Sequence, residues 1–311
     1  MAYSLAQINA AIHSDPKGFV EEADAAFQKK VSDAAAQIAD NRENSHIILL
    51  SGPSGSGKTT TAMKIEELLD RSGVVTHTIS MDNYFMSLDP ETAPRNRDGA
   101  IDYESPFLLD IELLNRHFSM LDRGETIHVP KFEFARQMRS AVNSRPLHLG
   151  HDALAIFEGI HALNDVITGK NPKAMKVYIA ARSNLTDSAG NTVFEHSWVR
   201  LCRRIVRDAK FRGSDAAFTL KLWPGVCRGE KLYISPYKDS ANILFDTTLP
   251  YEISVLKTHI VPLLEAVPPD QRDDTVNSIL LAMNQVEPLD DTYVAADSLI
   301  REFIGGSAYS Y

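Results

Sequence analysis

From residue 46 onward, short continuous apolar runs alternate with longer segments whose apolar residues recur every three or four positions. A short continuous run indicates a strand buried on both faces, and the longer periodic segments indicate helices between the strands. The pattern therefore predicts an α/β fold with three layers, in which helices cover both faces of a parallel sheet. The predicted strands lie at 47–50, 74–81, 153–157, 176–181 and 243–245.

The flanking segments differ from this alternating region. Residues 1–45 carry apolar side chains at helical spacing, which predicts a helical N-terminal extension that packs on the domain that follows. Residues 46–250 form the predicted core, with a small β insert at about 126–149 and an arginine-rich helix at about 197–213. Residues 251–311 mix helical pattern with loops, and we expect a helical C-terminal extension packed on the core.

A glycine-rich stretch joins the first core strand to the next helix and fits the pattern G-x-x-x-x-G-K-[ST] without a mismatch. Its glycines let successive backbone N–H groups turn toward one point, where the helix N-terminus adds partial positive charge. Lys58 would reach the β- and γ-phosphates of ATP, and the Thr59 hydroxyl would ligate Mg²⁺. A chance glycine turn is the alternative, but the strand-loop-helix context argues against it. The predicted nucleotide-binding residues here are Gly52, Pro53, Ser54, Gly55, Ser56, Gly57, Lys58, Thr59 and Thr60.

Two carboxylates follow predicted strands. Asp82 comes after the second strand, and Glu158 ends a later buried strand. Because parallel strands end at the edge of the sheet that carries the glycine loop, both should face a bound triphosphate. One would suit a general base for an acceptor hydroxyl, and Asp82 and Glu158 could each coordinate Mg²⁺ together with Thr59. The alternative for each acid is a solvated loop residue or a helix cap.

The helix at 197–213 carries arginines at spacings that crowd two adjacent faces. Like charges this close repel one another, so an anion that neutralises them would explain their presence. We expect them to close on the transferring phosphoryl group, with a catalytic role for Arg204 and Arg207 and nucleotide contacts from Arg203 and Arg212. The alternative is a basic exposed face paired with acids elsewhere.

The composition sets bounds on partners and location. The chain has 311 residues and a formal net charge of −9, which disfavours nucleic acid or an anionic membrane as the main partner. Its two cysteines, Cys202 and Cys227, form no CxxC pattern, so we expect thiols in a reducing cytoplasm. The sequence shows no signal-peptide pattern and no apolar run of bilayer-spanning length. We expect a soluble, cytoplasmic protein, which could form a homo-oligomer.

Several ordered motifs across about residues 46–250 resemble the uridine kinase / phosphoribulokinase family of P-loop kinases, most closely its uridine kinase-like nucleoside kinases. The resemblance implies a P-loop NTPase fold, ATP and Mg²⁺, and a small-molecule nucleoside or related polyol as acceptor. It also implies that Asp82 is the base for the ribose 5′-hydroxyl, that Asp102 holds the ribose hydroxyls, and that the arginine helix is a lid. The matching segments are S-M-D-N-Y-F (80–85), I-D-Y-E-S-P (101–106), V-P-K-F-E-F (129–134) followed by Arg139, F-E-G-I-H-A (157–162), and 201–208.

The acceptor-binding residues implied by this resemblance depart from it in places. Gln137 stands where uridine kinases place a histidine that reads the pyrimidine edge, and Phe132 replaces a stacking tyrosine. Glutamine can donate and accept hydrogen bonds, so the base preference could differ. Tyr84 and Tyr103 could line the acceptor pocket or pack in its wall. His161 could touch substrate or be a hydrogen-bonded structural histidine.

These features lead to one hypothesis and two alternatives. The hypothesis is an ATP-dependent kinase that phosphorylates the 5′-hydroxyl of a uridine- or cytidine-like nucleoside. The first alternative is a kinase for another small alcohol, such as a sugar phosphate or a pantothenate-like acceptor. The second is a nucleotide-dependent regulatory protein that retains the phosphate loop without efficient transfer.

Overall fold

The computed structural model describes residues 2–311. In chain order the strands are β1 (Ala2–Ser4), β2 (Ile47–Ser51), β3 (Thr76–Ser80), β4 (Ile127–Glu133), β5 (Met138–Leu147), β6 (Leu154–Glu158), β7 (Met175–Ala180), β8 (Asn184–Thr186), β9 (Thr192–Phe194) and β10 (Ile243–Asp246). The α-helices are α1 (Leu5–Ser14), α2 (Pro16–Asp40), α3 (Lys58–Arg71), α4 (Ile111–Asp122), α5 (Asp165–Thr168), α6 (His196–Phe211), α7 (Ala216–Gly229), α8 (Glu252–Glu265), α9 (Asp274–Met283) and α10 (Arg301–Ile304).

A five-stranded parallel sheet in the order β10-β7-β2-β6-β3 forms the centre of the protein. The central strands β2 and β6 are buried along their whole length, as their continuous apolar sequence predicts. They pair from Ile47 against Ala155 to Leu50 against Glu158. All five strands therefore end at the same edge of the sheet, where ligands bind in such folds. The predicted α/β class is confirmed.

Apolar cores lie on both faces of the sheet. The core on one face includes Phe27 of α2, Ile65 of α3 and Ile205 of α6. The core on the other face includes Phe118 of α4 and residues of the β4–β5 hairpin. Burial of these side chains on both sides gives the predicted three layers, because each helix covers the sheet with its apolar stripe.

The predicted insert is an antiparallel hairpin of β4 and β5. The helix predicted at 106–121 is divided into a 3-10 turn (Pro106–Leu108) and α4. The division is caused by Asp110, whose carboxylate accepts the N–H of Leu113 at 3.0 Å and so caps a new helix. Apolar periodicity alone does not reveal that a proline and a capping aspartate divide one apolar stretch into two helical elements.

The N-terminal extension is not purely helical. β1 pairs in parallel with β8, and β8 pairs with β9, to give a small three-stranded sheet. The prediction of a helical segment over 1–45 therefore misses its first element. In residues 2–311, no helix is both long and apolar enough to cross a membrane.

Candidate active site

The glycine loop between β2 and α3 has the conformation that its sequence predicts. Gly55 and Gly57 have φ angles of 76° and 80°, in the left-handed region that favours glycine. A Cβ on Gly55 would lie 2.8 Å from the backbone oxygen of Arg200, and one on Gly57 would lie 2.6 Å from Leu299. Both glycines are therefore required by backbone conformation and by close neighbours. Because α3 begins directly after the loop, the N-terminus of this helix, with its partial positive charge, lies beside the loop.

Lys58 lies among carboxylates at the end of this loop. Its ammonium group donates to the backbone oxygen of Pro53 at 3.3 Å. Burial lowers the pKa of Lys58, whereas the charges of Glu158, Asp82 and Glu302 act in the opposite direction. Three acids and the guanidinium of Arg207 therefore act on this lysine electrostatically.

Asp82 and Glu158 follow neighbouring strands. β3 pairs with β6 so that Ser80, the last residue of β3, lies opposite Glu158, the last residue of β6. Asp82 comes two residues later, in a single helical turn (Met81–Tyr84). The sheet therefore brings the two acids to one edge, where the sequence places them.

The pKa shifts of these acids show that they share one environment. Burial raises the pKa of Glu158 to about 7, with Lys58 opposing the shift and Asp82 adding to it. Burial also raises the pKa of Asp82, while the cations Lys58, Arg212 and Arg207 oppose that shift. Carboxylates, the loop lysine and two arginines of the α6 region thus act on one another electrostatically. Whether they act on a nucleotide stays a prediction.

The residues predicted to hold Mg²⁺ fit that ion in chemical type. Thr59 and Glu158 line one cavity of about 680 Å³ beside the loop. Hydroxyl and carboxylate oxygens suit Mg²⁺, which proteins usually bind through one or two carboxylates together with water and substrate phosphates. Within residues 2–311, no group of three His, Cys, Asp or Glu side chains is placed to enclose a metal. Phosphate oxygens of a nucleotide would therefore have to complete the coordination.

Three of the predicted lid arginines gather around Asp208 on α6. The Nε atom of Arg204 lies 3.3 Å from its carboxylate, the Nη2 of Arg207 lies 2.9 Å from it, and the Nη1 of Arg212 lies 3.6 Å from it. Arg204 also donates to the hydroxyl of Ser54 in the loop at 3.0 Å. The arginines are thus paired with an acid of their own helix, and the side chains of Arg204 and Arg207 are only 14% and 13% exposed, so these two do not form the exposed face of the alternative interpretation. Arg204 in addition contacts the phosphate loop.

Arg203 corrects one prediction, because it does not face the site. Its side chain is fully buried and donates to Glu252 at 2.7 Å and to the backbone oxygen of Gly55 at 3.2 Å. It therefore braces the loop from inside the protein instead of binding nucleotide phosphate. Arg200 is similarly engaged, with two hydrogen bonds to Glu230 at 2.8 and 2.7 Å. Sequence spacing gave no sign of either acidic partner.

Asp102, predicted to hold the ribose hydroxyls, has partners that the sequence did not suggest. Arg228 donates to its two oxygens at 2.6 and 3.3 Å, and the Tyr233 hydroxyl donates at 3.0 Å. Burial acts to raise the pKa of Asp102, but these hydrogen bonds outweigh it and hold the pKa below its usual value. An acceptor hydroxyl would have to share this carboxylate with Arg228 and Tyr233.

Glu104 is a further acid in this region that sequence reasoning missed. Burial raises its pKa to about 7, with the charges of Arg204 and Lys58 opposing the shift and that of Asp102 adding to it. The charges that act on Glu104 thus come from the loop at 101–106 that carries Asp102 (the acceptor loop), from α6 and from the phosphate loop. Its only sequence signal is its position two residues after Asp102, within a motif singled out for another residue.

Tyr84 and Arg139 shape the wall of the site instead of its interior. Tyr84 is fully buried, and its hydroxyl lies 2.9 Å from Nδ1 of His117. Arg139 donates to Asp110 and to the backbone oxygen of Tyr84, each at 2.9 Å. The structure therefore favours wall packing for Tyr84, the alternative that the sequence left open. Arg139 ties the hairpin to the turn that carries Asp82.

His161 is buried beside Tyr233. Only 1% of its surface is exposed, and its ring packs edge-on against Tyr233, with 6.2 Å between ring centroids. Burial lowers the pKa of His161 to about 4, which backbone groups of Glu104 and Tyr233 partly offset. A neutral histidine held between these segments positions the acceptor loop. Within residues 2–311, however, neither ring nitrogen of His161 has a hydrogen-bond partner. The hydrogen-bonded structural role is therefore not confirmed, and contact with substrate stays a prediction.

The residues predicted to contact the base lie on or near the hairpin. Phe132 packs edge-on against Phe85, with ring centroids 5.6 Å apart. Gln137 is exposed at the hairpin turn with a φ of 49°, and Tyr103 is 58% exposed in the loop before the 3-10 turn. Their side chains are accessible to an acceptor, and their contacts with one stay predictions.

The C-terminal segment reaches the phosphate loop, which the sequence did not predict. The hydroxyl and the N–H of Thr60 both donate to the carboxylate of Glu302, the N–H at 3.4 Å. The Tyr311 hydroxyl lies 3.0 Å from the Thr60 hydroxyl. Thr60, predicted to bind nucleotide, is thus engaged by protein groups, and its contact with nucleotide stays a prediction. The only sequence signal was the apolar, glycine-ended stretch at 298–306.

Comparison with known proteins identifies relatives of the core. Residues 47–253 match the model of the Phosphoribulokinase / Uridine kinase family. A uridine kinase from Deinococcus deserti is 28% identical over 199 residues, which cover 64% of this chain and 86% of the relative. A uridine-cytidine kinase 2-B from Danio rerio is 26% identical over 199 residues, which cover 59% of this chain and 67% of that protein.

A solved structure also aligns with the chain. It is a crystal structure from Silicibacter sp. TM1040, described as a fructose transport system kinase, with 18% sequence identity and a TM-score of 0.47. The alignment covers 68% of this chain and 98% of that one.

Proposed function

The chain belongs to the Phosphoribulokinase / Uridine kinase family, and from this premise we propose that it transfers the γ-phosphoryl group of ATP to the 5′-hydroxyl of a nucleoside. A kinase acting on a nucleoside or another small alcohol follows from the family itself. The choice of a uridine- or cytidine-like nucleoside is the finer part of the proposal. It is supported by the relatives, which are named uridine kinase and uridine-cytidine kinase.

One observation carries the proposal: Asp82 and Glu158 stand at the ends of adjacent strands around Lys58. A phosphate loop by itself serves kinases, switches and motors alike. Phosphorylation of an alcohol additionally requires a group that orients or deprotonates the hydroxyl and a ligand for the metal. The two acids supply both functions.

In the proposed reaction, Asp82 accepts the proton of the acceptor hydroxyl. The hydroxyl oxygen forms a bond to the γ-phosphorus while the bond from that phosphorus to the ADP oxygen breaks. Lys58, Arg204 and Arg207 stabilise negative charge on the phosphoryl oxygens as they separate from ADP. Thr59 and Glu158 would hold Mg²⁺, which when bound neutralises the β- and γ-phosphate oxygens.

A second acceptor class is favoured by a specific contact. A lone carboxylate at Asp102 would repel an anionic acceptor, but Arg228 pairs with it at 2.6 Å. Arg228 therefore supplies a cation at the acceptor loop, and Asp102 supplies oxygens that can accept hydrogen bonds from hydroxyl groups. A phosphorylated or acidic small alcohol is therefore the second candidate acceptor.

The acceptor is tested by incubating the protein with Mg-ATP and a panel of nucleosides, sugars, sugar phosphates and pantothenate. We expect ADP formation above the acceptor-free rate with uridine or cytidine, and a product whose mass increases by one phosphoryl group. Stimulation only by sugar phosphates or pantothenate would replace the nucleoside with the second acceptor class. ATP binding without stimulation by any acceptor would contradict the kinase and favour the regulatory alternative.

A further inference from the structure

A second cavity, of about 470 Å³, lies beside the phosphate loop, between the end of α6 and residues 301–311. Thr59 lines both this cavity and the 680 Å³ cavity that also contains Glu158. The second cavity therefore adjoins the loop at Thr59, on the side of the C-terminal segment. Its volume is within the range of small-molecule sites, roughly 300–1,000 Å³.

The segment that forms one wall of this cavity is fixed in place. Arg301 donates to the backbone oxygens of Asp291 and Val294, each at 2.6 Å. Lys210 of α6 donates to the backbone oxygen of Ile304 at 2.8 Å. The segment thus joins the arginine helix to the C-terminal extension. It lies outside residues 47–253, the part that matches the family.

An exposed aromatic ring and a glycine turn lie side by side at the edge of this cavity. Phe211, the last residue of α6, is 58% exposed, although it is a large apolar side chain. A Cβ on Gly305 would lie 3.3 Å from Cζ of Phe211, so the turn and the ring are neighbours. Gly305 and Gly306 have φ angles of 90° and 72°, which only glycine adopts readily. A flat heterocycle could stack on the exposed ring, and its edge could form hydrogen bonds with the backbone of the two glycines.

Charged groups of both signs line the same cavity. Arg207 and Arg212 stand on the α6 side, and Glu302 stands on the side of the C-terminal segment. The Glu302 carboxylate is held by the N–H and hydroxyl of Thr60, at the first turn of α3. Arginines suit phosphates, and a carboxylate suits the paired hydroxyls of a ribose.

We propose that residues 301–311, together with Phe211, form the subsite for the nucleoside half of the donor nucleotide. The base stacks on Phe211 and lies against Gly305 and Gly306, and the ribose hydroxyls donate to Glu302. The inference rests on the proposed function, because it takes the loop to hold the donor phosphates. It adds that the donor site of this chain is completed by a segment beyond the family core.

The test compares two ligands by calorimetry: Mg-ATP, and inorganic tripolyphosphate with Mg²⁺, which lacks the nucleoside. Phe211→Ala should weaken Mg-ATP binding by about tenfold, since stacking of a base on an aromatic ring has roughly that effect. Tripolyphosphate binding should be unchanged. Phe218→Ala is the matched control, because Phe218 is 53% exposed on α7 and lies at a different cavity. It should bind both ligands as the wild type does.

Glu302→Gln distinguishes a ribose contact from a blocking role. Because the Glu302 charge acts on Lys58, its removal should strengthen the binding of both polyphosphates to the same degree if Glu302 makes no ribose contact. A ribose contact predicts instead that the affinity for Mg-ATP falls relative to the affinity for tripolyphosphate. An equal change for both ligands would overturn the proposal, as would wild-type affinity for Mg-ATP in Phe211→Ala. Binding of neither ligand to the wild-type protein would contradict the proposed function itself. Thermal unfolding of each variant confirms that it is folded.

Discussion

Replacing Lys58 with alanine is expected to abolish phosphoryl transfer with every acceptor. Lys58 is the cation whose charge acts most strongly on Glu158 and Asp82. Removing one preorganised group that stabilises transition-state charge costs on the order of 10²–10³ in rate. Lys58→Ala also leaves the two acids without this opposing charge, so we expect the rate to fall by about 10³ or more. The measurement is acceptor-dependent ADP formation at saturating Mg-ATP.

The matched control is Lys29→Ala, since Lys29 is an exposed lysine of α2 that pairs only with Asp33 on the same helix. Exposed pairs of this kind contribute little, so the control should keep wild-type activity and stability. Circular dichroism of both variants shows whether a loss of activity results from the missing cation or from unfolding of the protein. A folded Lys58→Ala protein that retains transfer would remove the glycine loop from the reaction.

Asp82→Asn is expected to lower the turnover number by on the order of 10²–10⁴, the usual contribution of general base catalysis. Asparagine keeps the shape of the side chain but cannot accept the proton of the acceptor hydroxyl. Mg-ATP binding should change far less than turnover, because Lys58, the loop backbone and the arginines of α6 remain. The two quantities are measured as the turnover number and as the dissociation constant for Mg-ATP.

Asp98→Asn provides the control for this change. Asp98 is an exposed acid in the loop that follows the Asp82 turn, and it should tolerate the substitution. If Asp82→Asn turns over at close to the wild-type rate, Asp82 is not the base. Loss of Mg-ATP binding in place of turnover would make it a metal ligand instead.

The central sheet could be predicted because each of its strands has a recognisable pattern within a few consecutive residues. The strands β2 and β6 are unbroken apolar runs, and a run buried on both faces requires helices above and below it. β1 could not be predicted, because a strand of three residues has no periodicity and its partner β8 is distant in the chain. Its existence depends on tertiary pairing alone.

The positions of Asp82 and Glu158 followed from a general rule, since parallel strands end at one edge. The roles of individual arginines did not. Arg203 and Arg204 are adjacent in sequence, yet one is buried against Glu252 while the other reaches Ser54. Helical spacing gives the direction of a side chain relative to its helix. Whether that side chain supports the loop or binds a ligand depends on its partner in a neighbouring element.

The contacts of Thr60 were hidden for a related reason. Glu302 and Tyr311 belong to the end of the chain and meet the glycine loop only after the C-terminal extension folds over it. No local motif encodes such a long-range contact. The same holds for Arg228 and Tyr233, which reach Asp102 from the region that follows α6. The sequence therefore predicts which chemical groups form the site better than it predicts which residues contact those groups and fix their positions.

A crystal structure with Mg²⁺ and a nonhydrolysable ATP analogue would show directly whether the glycine loop, the two acids and the arginines of α6 form one site. We predict that the γ-phosphate lies within hydrogen-bond distance of Lys58 Nζ, with Glu158 on the metal side and Asp82 facing the acceptor side. Arg204 or Arg207 should contact the phosphate oxygens. A nucleotide bound away from the glycine loop, or a γ-phosphate remote from both acids, would contradict the proposed phosphoryl transfer at this site.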